Sequence, residues 1–252
     1  MRLIGAVRTD PGLVRRENQD SYGFHTDLGL YLVADGMGGR AAGKRASEEA
    51  TRTIVEVVRD AAAEPSAAAR LRRAIEEANR HLWTLAERDP ELRGMGTTVA
   101  SLLVDDGVAH IAHVGDSRVY RLRGGAMQPL TRDHSYLAEL RERGIEPPEP
   151  KERQLYGNLL SRAVGLEATV EVDVATESLA PGDVYLLCSD GVYKVVEIDD
   201  LATVVAAAGD DVELGCRTIV ERANAAGGPD NSTIILVRVL AGDDPSAPGS
   251  GG

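Results

Sequence analysis

Five aspartates recur at similar places in the chain, each at the end of an apolar stretch or in a tight turn. They lie in "ENQD", "ADGMGG", "HVGDSR", "LLCSDG" and "GGPDNST", as Asp20, Asp35, Asp116, Asp190 and Asp230. A single aspartate in such a place is typical of a turn or a helix cap. Five favour another interpretation, because clustered carboxylates repel one another unless cations neutralise them. Ligands that are all oxygen suit hard ions, so the pattern predicts a Mg²⁺ or Mn²⁺ site.

The glycine-rich segment that follows Asp35 admits a second interpretation, as a nucleotide-binding loop. The letters "GMGGRA" at 36–41 fit the dinucleotide fingerprint, with a strand before them and a helix after them. The charge of Asp35 would, however, face the pyrophosphate. The fold would also need a second parallel strand about 20 residues on, where two successive helices are predicted. The metal hypothesis is therefore favoured.

The elements that must position these aspartates form an α+β pattern. Short strands separated by turns follow Met95, which indicates an antiparallel meander. Apolar residues at helical spacing predict helices through 46–61 and 71–85 and two more across 197–226. We expect an α+β fold in which two packed antiparallel β-sheets are flanked by helices, a four-layer αββα sandwich.

The chain is predicted to form one domain over 1–240, followed by a disordered tail or linker at 241–252, "AGDDPSAPGSGG". A short helix is expected within 135–144. The following "EPPEP" at 146–150 is predicted to be neither helix nor central strand, because proline lacks the amide donor that both require. This segment is expected to be a surface excursion.

Composition excludes several classes of protein. The 252 residues carry a formal charge of −12, which argues against a nucleic-acid partner, since that binding depends on basic surfaces. No apolar run has the length of a membrane span, and the N-terminus lacks a signal-peptide pattern, so we expect a cytoplasmic location. Two cysteines, not in a CxxC pair, exclude a disulfide framework and a structural zinc site.

A family resemblance rests on eight motifs that occur in order from about residue 3 to residue 239. They are "VRRENQDS", "VADGMGG", "MGTTV", "VGDSRVY", "LTRDHS", "LLSRAVG", "LLCSDGV" and "GGPDNSTIILV". Together they resemble the bacterial form of the metal-dependent protein serine/threonine phosphatases of type 2C, the PPM family. The resemblance implies hydrolysis of phosphoserine and phosphothreonine in proteins by a water that two metal ions activate. The partners of this chain would be phosphorylated proteins, and it would reverse the phosphorylation carried out by a cognate serine/threonine kinase. We expect a monomer.

The resemblance also implies roles for individual residues at two core ions, Mn²⁺ or Mg²⁺. Asp35, Asp190 and Asp230 would hold the first ion. Asp35 would bridge to the second, to which Gly36 would offer its backbone carbonyl. The glycines let the backbone approach that closely, because a side chain at Gly36 or Gly38 would obstruct the turn.

The resemblance also implies roles for residues around these two ions. Asp20 is expected to act through metal-bound water, and Asp116, with Asp190, matches the position of a third, weaker ion. Arg15 matches the phosphate-binding arginine of the family, whose planar fork can engage two phosphate oxygens. Arg16 is expected on the opposite face, in solvent, because side chains alternate along an extended chain.

Two departures from the family bear on chemistry and specificity. Met37 and Arg40 stand where relatives carry a histidine that is a candidate proton donor, and neither is a general acid near neutral pH. The flap, about 134–160, is shorter and richer in proline than in relatives. Four of the five histidines of the chain are expected to be structural: His25, His110, His113 and His134. A metal-binding domain that serves as a sensor or scaffold with little catalysis stays open as an alternative.

Overall fold

The structure is a computed structural model that describes residues 1–38, 40–60, 64, 66–145 and 149–242. The predicted tail therefore lies outside the described residues from position 243 onward. The same holds for residues 146–148 of the "EPPEP" segment.

The strands form two antiparallel sheets, as the sequence predicts. The first sheet has the order β1 (Arg2–Asp10), β11 (Ser232–Leu240), β10 (Val184–Cys188), β7 (Arg118–Arg123) and β8 (Ala126–Pro129). The second has the order β2 (Asp20–His25), β3 (Leu30–Met37), β5 (Val99–Asp105), β6 (Val108–Val114) and β9 (Asp173–Ser178), and β4 (Gly96–Thr97) also pairs with β3. The β1–β11 ladder pairs the first strand with the last described strand, whereas β2 and β3 are consecutive strands paired as a hairpin.

Helices cover the outer faces of both sheets. The α-helices of the described residues are α1 (Arg40–Asp60), α2 (Ala67–Arg88), α3 (Tyr136–Glu142), α4 (Pro150–Gly157), α5 (Asp190–Tyr193), α6 (Ile198–Ala208) and α7 (Val212–Ala225). Helices α1 and α2 pack on the second sheet, while α6 and α7 lie against the first. None of the helices in the described part of the chain combines the length and the apolar character that crossing a bilayer requires.

Three apolar layers result, which confirms the four-layer sandwich. The central strands are apolar on both faces and divide their side chains between two layers. In β3, Leu30 and Leu32 pack under α1, whereas Tyr31 and Val33 face the other sheet. In β11, Ile234 and Leu236 face the helices, whereas the alternate residues fill the layer between the sheets. The period of two in a strand produces this division.

One local prediction is wrong. Pro150, predicted to stand outside any helix, is the first residue of α4. Proline is compatible with this position, because the first N–H groups of a helix have no intrahelical acceptor.

A buried amide on α2 holds the loop that supports the centre of the second sheet. Asn79, 1% exposed, donates from Nδ2 to the Glu167 carbonyl oxygen (3.0 Å) and accepts at Oδ1 from the Gly165 N–H (2.7 Å). The same loop forms two backbone hydrogen bonds between Val164 and Thr97. Thr97 in turn donates its hydroxyl to the Asp35 carbonyl oxygen.

We expect Asn79→Ala to lower the free energy of unfolding by about 2 kcal/mol, because it leaves buried backbone groups without partners. Urea denaturation monitored by circular dichroism measures the change. Arg80→Ala, on the exposed face of the same helix, is the control and should alter stability by less than about 0.5 kcal/mol. Equal effects of the two substitutions would contradict the role of Asn79.

Candidate metal centre

Four of the five aspartates lie where strands of the two sheets end side by side. Asp20 and Asp35 are direct cross-strand partners at one end of the β2–β3 ladder. Asp190 opens the short helix α5, two residues after β10, and Asp230 lies two residues before β11. Because β10 and β11 are paired, these last two residues emerge from neighbouring strands.

The fifth aspartate joins the same group. Asp116, 4% exposed, lies in the turn between β6 and β7. Asp35 is at the centre of the group: burial raises the pKa of its carboxyl well above the usual range, and the charges of the other four aspartates raise it further. The structure therefore brings all five predicted aspartates into one cluster.

Asp20 is a buried carboxylate of the cluster that is bonded to the other sheet. Its Oδ2 accepts hydrogen bonds from the hydroxyls of Ser189 (2.7 Å) and Thr233 (2.7 Å), which come from the first sheet. Its Oδ1 is buried and has no hydrogen-bond partner among the described residues. Burial, together with the charges of Asp190 and Asp230, raises the pKa of Asp20 to about 7.

Asp116 is held by an aromatic residue that sequence reasoning did not single out. The Tyr193 hydroxyl donates to Asp116 Oδ2 (3.0 Å), and the guanidinium carbon of Arg118 lies 3.6 Å from the centre of the Tyr193 ring. Arg118 is itself fixed by two hydrogen bonds to the Asp133 carboxylate. Burial, with a contribution from Asp190, raises the pKa of Asp116 to about 6.

Two glycines are required by close backbone approach at the cluster. A Cβ atom at Gly36 would lie 2.0 Å from the Gly43 carbonyl oxygen and 2.7 Å from that of Gln19. This agrees with the predicted need for glycine at 36. The sequence analysis missed Gly191, where a Cβ would lie 2.0 Å from the Asn231 carbonyl oxygen. Only glycine lets the segments that carry Asp190 and Asp230 approach so closely.

Arg15 faces the cluster, whereas Arg16 does not contact it. Arg15 Nη2 donates to Asp230 Oδ2 (2.7 Å), and its side chain is 56% exposed. Arg16 is exposed and forms no ion pair with the described residues. The reason predicted for this difference is wrong, because residues 12–14 form a turn and no strand alternation applies there. A hydrogen-bonded turn places Arg15 instead.

Asn231 fixes that turn and was not predicted from the sequence. Its Oδ1 accepts from the Gln19 backbone N–H (2.9 Å), and its Nδ2 donates to the carbonyl oxygens of Pro11 and Glu17, both at 3.0 Å. These bonds hold both ends of the segment that carries Arg15. The signal that could have found it is the polar "DNST" run, where a buried amide must find several partners.

The residues present fit divalent cations. Asp20 Oδ1 and Asp190 Oδ1 are both buried without a hydrogen-bond partner among the described residues. Buried carboxylate oxygens of this kind are costly unless a cation neutralises them. The donor set is entirely oxygen, which suits Mg²⁺ or Mn²⁺. Of the two positions that replace the family histidine, Met37 ends β3, and the side chain of Arg40 lies outside the described part of the structure.

A second group, of two histidines and one aspartate, adjoins the turn that carries Asp116. His113 and His134 stack with ring centres 4.6 Å apart, and His134 Nε2 is 3.3 Å from Asp173 Oδ2. The Gly115 N–H donates to His134 Nδ1, so the proton of the neutral ring sits on Nε2, facing Asp173. Burial lowers the pKa of His134 to about 4. The two rings thus form a stacked pair, and each ring is hydrogen-bonded to a backbone group, at Arg132 and at Gly115.

Comparisons with known proteins agree with the site. The family model described as "Protein phosphatase 2C" matches residues 14–208. The chain is 35% identical over 239 residues to the serine/threonine phosphatase stp of Listeria welshimeri, covering 91% of this chain and 93% of that protein. It is also similar to the crystal structure of the Mycobacterium tuberculosis serine/threonine phosphatase PstP/Ppp, with a TM-score of 0.87 and 32% sequence identity. The match covers 96% of this chain and 100% of that one.

A second structure, the catalytic domain of the serine/threonine protein phosphatase PstP in complex with two manganese ions, is 33% identical. Its TM-score is 0.84, and the match covers 95% of this chain and 99% of that one. The chain belongs to the protein phosphatase 2C family.

The enclosed position of Asp20 makes the stability of the metal-free protein depend on pH. Its pKa is 3.8 ordinarily and about 7 in the folded chain, so the folded state prefers the protonated acid. The contribution of Asp20 to the free energy of unfolding is therefore fully present below pH 3.8, and it is lost as the pH rises through 7. In the presence of a chelator, the free energy of unfolding of Asp20→Asn, relative to that of the wild type, should increase by on the order of 2 kcal/mol from pH 5 to pH 8.

Urea unfolding at both pH values in the presence of EDTA measures this difference. Asp27→Asn, in an exposed turn, is the matched control and should follow the wild type. A constant difference between Asp20→Asn and the wild type across this pH range would contradict the assignment.

Proposed function

We propose that this chain hydrolyses phosphoserine and phosphothreonine in proteins, with two Mn²⁺ or Mg²⁺ ions held by the aspartate cluster. The observation that carries the proposal is the convergence of five aspartates and Arg15 at one end of the sandwich. Family membership and the names of the relatives, serine/threonine phosphatases, support it. Phosphorylated proteins are then the substrates, and a cognate serine/threonine kinase is the enzyme opposed.

The proposed ligands are those that the family resemblance implies, and they are among the residues clustered around Asp35. Asp35, Asp190 and Asp230 would hold one ion, and Asp35 with the Gly36 carbonyl would hold the second. When bound, a pair of such ions lowers the pKa of a shared water toward neutrality and directs it at phosphorus. The manganese ions in the similar PstP structure support this assignment.

Arg15 is proposed to bind the substrate phosphate. Its guanidinium lies beside Asp230 and within the field of Asp190 and Asp35, so it is next to the cluster without being buried in it. An exposed arginine in this place can engage two oxygens of an incoming phosphate at once. Asp20 and Asp116 complete the shell around the two ions. We assign the catalytic domain to residues 1–240 and propose that it works as a monomer.

The direct test is hydrolysis of a phosphopeptide with Mn²⁺, compared with the same reaction in EDTA. Phosphoserine and phosphothreonine peptides should be hydrolysed, and a phosphotyrosine peptide should be the poorest substrate. Tight binding of Mn²⁺ without hydrolysis of any of the three would refute the proposal.

Asp35→Asn and Asp190→Asn should each lower kcat/KM by at least about a hundredfold, because each removes a charge from a centre that supplies several kcal/mol. The variants should fold, since an amide in place of a crowded carboxylate relieves repulsion. Steady-state kinetics at saturating Mn²⁺ measures the loss, with Asp27→Asn as the control. Near wild-type rates in either variant would show that the ligand assignment is wrong.

Arg15→Lys should also impair the reaction, because a point charge replaces a planar donor of two hydrogen bonds. The loss should be on the order of 1–3 kcal/mol in transition-state stabilisation, while the affinity for Mn²⁺ hardly changes. Kinetics on a phosphopeptide separates an increase in KM from a decrease in kcat. Arg16→Lys is the matched control and should be nearly silent, and damage from Arg16→Lys alone would reverse the assignment.

A further inference from the structure

One lysine side chain lies inside the aspartate cluster. Lys194 Nζ donates to Asp190 Oδ2 at 2.5 Å and lies 3.9 Å from Asp116 Oδ2. Its side chain is 34% exposed, whereas those of the two carboxylates are 16% and 5% exposed. The ammonium therefore lies between Asp190 and Asp116, the pair that the family resemblance connects with a third, weaker ion.

The two oxygens of Asp190 are used differently. Oδ2 is taken by the Lys194 ammonium, while Oδ1 is buried without a hydrogen-bond partner among the described residues. Lys194 caps the end of α5, which Asp190 opens, so the spacing of four residues along one helical turn fixes this pairing. Oδ1 thus stays available for the two-ion centre, while Oδ2 is already neutralised.

The ammonium is also held from the flap side. Lys194 Nζ donates to Asn158 Oδ1 at 2.8 Å, and Asn158 directly follows α4. The base of the flap is closed nearby, where the Tyr136 N–H donates to the Leu159 carbonyl oxygen (2.8 Å) and the Ser161 N–H to that of His134 (3.0 Å). Two short hydrogen bonds and a longer ion pair, from three separate segments, thus define the position of the charge.

We propose that Lys194 acts as a built-in cation between Asp116 and Asp190, taking the place of a third divalent ion and limiting the tightly bound ions to two. A positive charge fixed between the two carboxylates offsets half of their combined charge and repels a divalent ion that approaches them. The inference rests on the proposed two-ion function and adds the number of ions this chain can hold. Lys194 is in this sense a positioning residue, not one that touches the substrate.

The test counts bound Mn²⁺ by calorimetry and by equilibrium dialysis, with no substrate present. The wild type should bind two ions tightly. Lys194→Met keeps an unbranched side chain and removes its charge. This variant should bind a third ion, with an affinity on the order of tenfold or more above that of the wild type. Lys194→Arg keeps the charge and should remain at two. Lys151→Met, in α4, makes the same chemical change at an exposed position and is the matched control.

A further arm tests where the third ion binds. Adding Asp116→Asn to Lys194→Met should return the count to two. If Lys194→Met folds poorly, as thermal unfolding would show, Lys194→Gln provides the second uncharged variant. The same count and affinities in the wild type and both uncharged variants would overturn the inference, and so would tight binding of three ions by the wild type. Failure of the wild type to bind Mn²⁺ at all would instead overturn the proposed function.

Discussion

Mutual repulsion among five enclosed carboxylates is the constraint on which the rest of the structure depends. Asp35 lies within the electrostatic field of the other four, and burial alone already disfavours its charge. The protein offsets part of this cost with hydroxyl donors from Ser189, Thr233 and Tyr193. Asp20 Oδ1 and Asp190 Oδ1 nevertheless have no partner among the described residues, and bound cations would neutralise them.

The two sheets of the sandwich each contribute carboxylates to the cluster. Asp20 and Asp35 belong to the second sheet, whereas Asp190 and Asp230 adjoin strands of the first. The apolar layer between the sheets, which includes Tyr31 and Tyr185, fixes their separation. Close packing in such a layer transmits small changes in volume, so the distances at the site are set by residues that never touch it.

Two positively charged side chains pair with different carboxylates of the cluster. Arg15 pairs with Asp230 at the open side of the cluster, where an exposed guanidinium can exchange a carboxylate for a phosphate. Lys194 lies between Asp190 and Asp116 and is held by the flap residue Asn158. The cluster therefore has one cation suited to a substrate and one suited to a structural charge balance. An acidic chain of net charge −12 needs such local cations to admit a phosphate.

The sequence by itself determined the layers and the identity of the cluster. The sequence shows three local patterns: continuous apolar runs in β3 and β11, helical spacing of apolar residues in α1 and α2, and aspartates at strand ends. Contacts between distant segments were decided only by the tertiary structure. Gly191 against Asn231, Asn231 against Pro11 and Lys194 against Asn158 depend on which loops meet, and no local period encodes that. For the same reason Arg15 faces the cluster through a turn and not through strand alternation, because hydrogen bonds from residue 231 override the local pattern.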